Sequence, residues 1–210
     1  VNIKICGVKT IDIAREVVES GASHIGFVFF KRSPRNLTPA KAAEIVQQIK
    51  GAIKTVVVTV NPTDELLNEI TSLFKPDFIQ LHGSETLKRV KEIKQKFGIK
   101  IIKAITIHDK DDLEKAAEFK EVAEYILFDA KPNIIDALPG GNAISFNWNL
   151  LKDFSPDYKW ILSGGLNHRN VKDAIKLTGA NFVDVSSGVE SIPGSKDVSL
   201  IRAFIRACHH

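Results

Sequence analysis

The chain has 210 residues, 44% of them hydrophobic and 26% charged, with a net charge of +4. That is a single-domain length with enough apolar material for a sizeable core, which excludes a disordered chain. Lys and Arg are scattered among Asp and Glu with no long basic run, so nucleic acid is not an expected partner, whereas a mild positive balance suits a small anion.

Asn2–Cys6 reads as a strand, and Ile11–Ser20 as a helix that stops at Gly21. His24–Phe29 is the second strand, and Thr38-Pro39 opens a helix through Lys50, with Thr as N-cap and Pro in the first turn. Thr55–Val60 is followed by a helix over Thr63–Phe74, and Phe78–Leu81 by one over Ser84–Phe97. Lys100–Ile105 is the fifth strand, with a short helix over Asp111–Phe119. Tyr125–Asp129 is the sixth, leading into a long Pro- and Gly-rich loop over Ala130–Ser145 and a short helix near Trp148–Leu151. Lys159–Ser163 precedes a helix over Arg169–Thr178, and Asn181–Val185 precedes the closing helix, Val198–Ala207.

Eight strand–helix units with no composition break predict a parallel sheet closed into a (β/α)₈ TIM barrel, short beside the usual length of about 250. An open doubly wound sheet would carry a Gly-rich fingerprint after strand one, and Cys6-Gly7-Val8-Lys9 lacks it. The domain is read as residues 1–208, with His209-His210 as a tag remnant. Cys6 and Cys208 lie at opposite ends, with no CxxC or metal-ligand spacing, so neither a disulfide framework nor a metal is expected. Short apolar runs and an opening without a signal-peptide pattern point away from a membrane and toward the cytoplasm.

Active sites of such barrels lie at the C-terminal ends of the strands. Here those ends carry Cys6, Lys31 to Arg35, Gln80 to Gly83, Asp129, Ser163-Gly164-Gly165, and Asp184 to Gly188. Gly164 and Gly165, with Ser186, Ser187 and Gly188, follow strands seven and eight, where backbone N–H groups commonly hold a phosphate; tight turns are the plainer reading of either alone. Cys6 by residue type is a small buried apolar side chain, but a strand-mouth thiol whose pKa is lowered by cations such as Lys4, Lys9 or Arg35 would be a proton acceptor. Asp129 closes an apolar strand, which suits a general acid better than a core residue, a salt bridge to Lys131 being the alternative. Arg35 is a bidentate carboxylate binder or a surface Arg, and His82 a ligand contact or a hydrogen-bonded structural histidine. Asp184 is grouped with these two as a substrate contact or a support for one.

In order along nearly the whole chain, Lys4-Ile5-Cys6-Gly7, Gly26 to Phe29 with Ser33-Pro34-Arg35, Gln80-Leu81-His82-Gly83, Phe128-Asp129, Phe146 to Trp148, Leu162 to Asn167, and Val183 to Glu190 with Pro193-Gly194 and Lys196-Asp197 resemble the N-(5′-phosphoribosyl)anthranilate isomerase family of tryptophan biosynthesis. The resemblance implies a cofactor-free, metal-free Amadori rearrangement of a phosphorylated aminosugar that carries a carboxylate. Asp129 would then protonate the ribose ring oxygen, Cys6 would take the C2′ proton, Arg35 would hold the anthranilate carboxylate, and Gly165, Ser186, Ser187 and Gly188 would cradle the phosphate. Ala143, Asn147 and Thr59 depart from the family pattern, at a common Gly, a common Asp and a favoured Phe. Rival readings are a Schiff-base aldolase using Lys103, a sister enzyme of histidine biosynthesis (against which Cys6 argues, since that chemistry uses two aspartates), and a non-catalytic phosphate-binding barrel.

Overall fold

A computed structural model describes residues 1–130 and 148–209. Strands β1 (Asn2–Cys6), β2 (His24–Phe29), β3 (Lys54–Thr59), β4 (Phe78–Leu81), β5 (Lys100–Ile107), β6 (Tyr125–Ala130), β7 (Trp160–Ser163) and β8 (Phe182–Val185) pair in parallel, in sequence order, and β8 closes on β1. Helices α1 (Ile11–Glu19), α2 (Pro39–Gln48), α3 (Asp64–Leu73), α4 (Leu87–Phe97) and α5 (Lys110–Ala117) follow the first five strands; α6 (Val171–Thr178) and α7 (Val198–His209) follow β7 and β8. This is the expected (β/α)₈ barrel. No helix of the described residues is long and apolar enough to cross a membrane.

Local chemistry sets where the helices start. Thr10, Thr38, Thr63, Thr86 and Asp109 each sit in extended backbone and accept a hydrogen bond from the third residue onward, each such cap being worth about 1 kcal/mol. Gly98 and Gly179 end α4 and α6 at positive φ, where a Cβ would be strained. The helix expected from Ser84 begins only at Leu87, because the Glu85 carboxylate is buried and accepts the Asn61, Gly83 and Lys103 donors.

Period-two alternation divides each strand between two cores. Outward residues such as Ile3, Ile5, Phe27, Phe128 and Val183 pack against the helices. Inward residues stack in layers drawn from alternate strands. His24, Phe78, Tyr125 and Phe182, from β2, β4, β6 and β8, close the N-terminal end of the barrel with ring centroids 4.6–5.9 Å apart. Above them Lys4 joins Val56, Ile102 and Ile161, from the odd strands. Nearer the mouth the inward positions turn polar, with Gln80, Ser163 and Asp184 all buried. Thr59, one of the departures from the family pattern, faces outward and donates its hydroxyl to the Gln80 carbonyl.

One element has no counterpart in the sequence reading. Glu190–Ile192 (β9) and Ser195–Lys196 (β10) form an antiparallel hairpin after β8, preceded by a 3-10 turn over Ser187–Val189. Gly194, at φ +84° with its missing Cβ aimed at the Pro34 carbonyl, makes the turn and seats it on the loop after β2.

Candidate active site

Cys6 ends β1 on its inward face, 7% exposed, within the apolar cluster that includes Val28, Ala104 and Leu127. Two residues below it on the same face is Lys4, fully buried, with its ammonium 2.9 Å from Asp184 Oδ1. Ser163 Oγ donates to the other oxygen, Oδ2, at 3.2 Å. Burial acts against the charged lysine, but Asp184 and then Cys6 outweigh it and hold the ammonium above its ordinary pKa. The thiol is also pushed up: burial is the largest influence, Lys4 pulls down, Asp184 pushes up and Lys196 pulls down. The expected lowering by cations is therefore present but outweighed. Lys9, named beforehand as a source of that field, spends its ammonium on the Pro34 carbonyl at the surface.

Across the mouth, Asp129 stands two residues above the inward-facing Leu127 of β6 and is in register with Ser163 of β7. Its Oδ2 lies 3.1 Å from His82 Nε2, and His82 Nδ1 lies 2.9 Å from the Gln80 amide nitrogen. With that amide donating, Nδ1 accepts and Nε2–H points at the carboxylate. Gln80 is fully buried, and its Oε1 has no partner among the described residues. Lys4, Asp184 and Ser163 thus form one polar network beneath Cys6, and Asp129, His82 and Gln80 a second, the two meeting where Asp129 pairs in register with Ser163.

Beside it lie two glycine loops. Gly164 and Gly165 both take positive φ, 89° and 64°, after β7. A Cβ on Gly188 would collide with the Leu166 carbonyl, so the loop after β8 rests directly on the loop after β7. The backbone N–H groups of Gly165, Ser187 and Gly188 have no acceptor among the described residues. Ser186 donates its hydroxyl to the Cys6 carbonyl, which ties this corner to the end of β1. The profile of the family described as N-(5'phosphoribosyl)anthranilate (PRA) isomerase matches residues 3–207. The chain belongs to this family. A relative from Brucella canis named N-(5'-phosphoribosyl)anthranilate isomerase is 47% identical over 206 residues, covering 98% of this chain and 93% of the relative. The Thermotoga maritima phosphoribosyl anthranilate isomerase structure superposes with a TM-score of 0.88 at 35% identity, covering 100% of this chain and 98% of that one. A phosphoribosyl anthranilate isomerase solved in complex with reduced 1-(o-carboxyphenylamino)-1-deoxyribulose 5-phosphate gives 0.86 at 34% identity, with the same coverage of each chain.

The barrel places Cys6, Asp129 and His82 at the C-terminal end of its strands. Asp184, expected among the substrate contacts, is 4% exposed with both oxygens engaged, so it supports the site from beneath. Arg35 lies over Gly7, where a Cβ would come within 2.5 Å of its Cδ. Its Nε and Nη2 grip Glu190 at 2.7 and 2.6 Å, leaving Nη1 without an acceptor among the described residues. Glu190 also binds Lys196 and the Gly194 N–H; burial pushes its carboxyl up, but these three donors outweigh that and hold it at about 2. Burial leaves the Lys196 ammonium below its ordinary value despite Glu190.

Lys103 does not fit the aldolase reading. It faces away from the barrel axis and is buried, donating to Glu85 and to the Leu81, Gly83 and Ala104 carbonyls. Gly140, Gly141, Ala143, Phe146 and Asn147 lie outside the described residues. Sequence reasoning gave no role to Gln80, Glu190 or Lys196, and placed Ser163 only in the phosphate turn with Gly164 and Gly165, not as the partner of Asp184. For Gln80 and Ser163 the signal was available, since polar residues at inward strand positions need partners.

Proposed function

We propose that the chain converts N-(5′-phosphoribosyl)anthranilate into 1-(2-carboxyphenylamino)-1-deoxyribulose 5-phosphate in tryptophan biosynthesis, with Asp129 as acid and Cys6 as base. One observation carries the assignment: both groups stand on inward strand positions at the same mouth, from β1 and β6, beside two loops whose N–H groups have no acceptor among the described residues. Asp129 gives its proton to the ribose ring oxygen, the C1′–O bond breaks toward oxygen, and the anthranilate nitrogen forms C1′=N. The Cys6 thiolate then takes the C2′ proton; that bond's electrons form C1′=C2′ and the C=N pair returns to nitrogen. Loss of the C2′ hydroxyl proton and gain of one at C1′ give the ketone, an isomer of the substrate.

His82 steadies the acid from 3.1 Å and is itself held by Gln80. Nη1 of Arg35, without an acceptor among the described residues, is the proposed contact for the anthranilate carboxylate, with Glu190 fixing the plane of the guanidinium. Gly164, Gly165, Ser186, Ser187 and Gly188 take the phosphate at the other end of the substrate. The ligand seen in the related complex has both these ends, a phosphate and an aromatic carboxylate. The cytoplasm is the proposed setting, because free Cys6 and Cys208 suit a reducing compartment.

The test is turnover by purified protein, followed as loss of anthranilate fluorescence. Cys6→Ala and Asp129→Ala should each lower kcat by about 10²–10⁴-fold with the fold intact. Full activity in both would remove the acid–base assignment, and substrate binding without turnover by the unaltered chain would make this a phosphate-binding barrel.

A further inference from the structure

Lys4 is a fully buried cation in a layer whose other members are Val56, Ile102 and Ile161. Burying an ion pair costs more than the attraction usually returns, and well-packed apolar residues at such places are often as stable. Asp184 explains how the charge survives there, but not why a charge is present.

Position supplies the reason. Lys4 lies directly below Cys6 on the inward face of β1, and its ammonium acts on the thiol by charge. Gly26 on the neighbouring strand keeps the space for both: a Cβ there would lie 3.0 Å from Cys6 Sγ and 3.2 Å from Lys4 Cε. Asp184 faces the same thiol with the opposite sign. We propose that Lys4 and Asp184 are a matched positioning pair for Cys6, the first favouring the thiolate and the second restraining it, so that the sulfur can both take and release a proton in one turnover. This rests on the reading of Cys6 as the base.

Among the described residues, the other charges facing the thiol are Lys196 from the hairpin and Arg35 from the loop after β2, both tied to Glu190. His24, below Lys4, stays uncharged at neutral pH because burial and then Lys4 push it down to about 4. Neither Lys196 nor Arg35 bonds to Lys4 or Asp184, so the pair can be altered without releasing them.

The experiment titrates the Cys6 thiolate by its ultraviolet absorbance in the full chain, with the matching Cys6→Ala protein subtracted. Lys4→Met should move the midpoint up, Asp184→Asn should move it down, and the double variant Lys4→Met/Asp184→Leu should fall between the unaltered protein and Lys4→Met. A shift of one pH unit changes the thiolate fraction about tenfold below the midpoint, and in Lys4→Met kcat at fixed pH should fall with it while KM is unchanged. General damage to the barrel would not move the two single variants in opposite directions. If Lys4→Met fails to fold, the double variant, which leaves no unpaired buried charge, carries the test. Equal midpoints in every folded variant would overturn the proposal. Ordered midpoints together with an active Cys6→Ala protein would instead keep the tuning pair and overturn Cys6 as base.

Discussion

Gly188→Ala isolates the contact between the two glycine loops. The added carbon would collide with the Leu166 carbonyl oxygen, and it would lie 2.9 Å from the Leu166 carbonyl carbon and 3.1 Å from Asn167 Cα, all backbone that cannot swing aside. The loops must part, and the N–H groups of Gly165 and Gly188, without acceptors among the described residues, can then no longer serve the proposed phosphate together. A hydrogen bond to a charged group contributes about 1.5–3 kcal/mol, and about 1.4 kcal/mol is tenfold in binding, so losing one raises KM by roughly 10–100-fold. Because the phosphate is not at the reacting carbons, this is binding lost equally from ground and transition states, and kcat should change little. Initial rates across substrate concentration, with inorganic phosphate as a competitive inhibitor, measure both quantities. An unchanged KM and unchanged phosphate inhibition in a folded Gly188→Ala protein would refute the idea that these loops form one anion site.

Glu190 makes stability depend on acid. Its folded carboxyl is held at about 2, below its ordinary 4.5, so its bonds stabilise the fold fully above about 4.5 and are lost as pH falls through about 2. In urea unfolding, Glu190→Gln should be weaker than the unaltered protein at neutral pH and converge with it in acid; parallel curves would count against this. Lys103→Met should cost about 3–5 kcal/mol by leaving the Glu85 charge buried without its partner. Borohydride with a carbonyl compound should trap no adduct at Lys103, and trapping there would revive the aldolase reading.

Much of this was open to a reader of the sequence, for a physical reason. Alternating β and α segments force a parallel sheet, and strand ends in such a sheet can be read from where apolar runs stop, as at Cys6 and Asp129. Both were found at the mouth as expected. Helix starts were legible where a threonine caps its own helix, as at Thr38 and Thr63, and not at Ser84, where burial of Glu85 by distant partners decided the matter. The hairpin carrying Glu190 and Lys196 was hidden because its strands are two and three residues long, too short for any periodicity. Lys4 was noticed only as a nearby cation. Its ion pair joins residues 180 apart, a pairing that only closure of β8 on β1 creates.

The ring of His24, Phe78, Tyr125 and Phe182 gives the barrel a stopper. Among the described residues that end is plugged by aromatic side chains, which leaves the mouth for reactant and product alike. The spent molecule must then leave before a fresh one can dock, so bound product competes with incoming substrate.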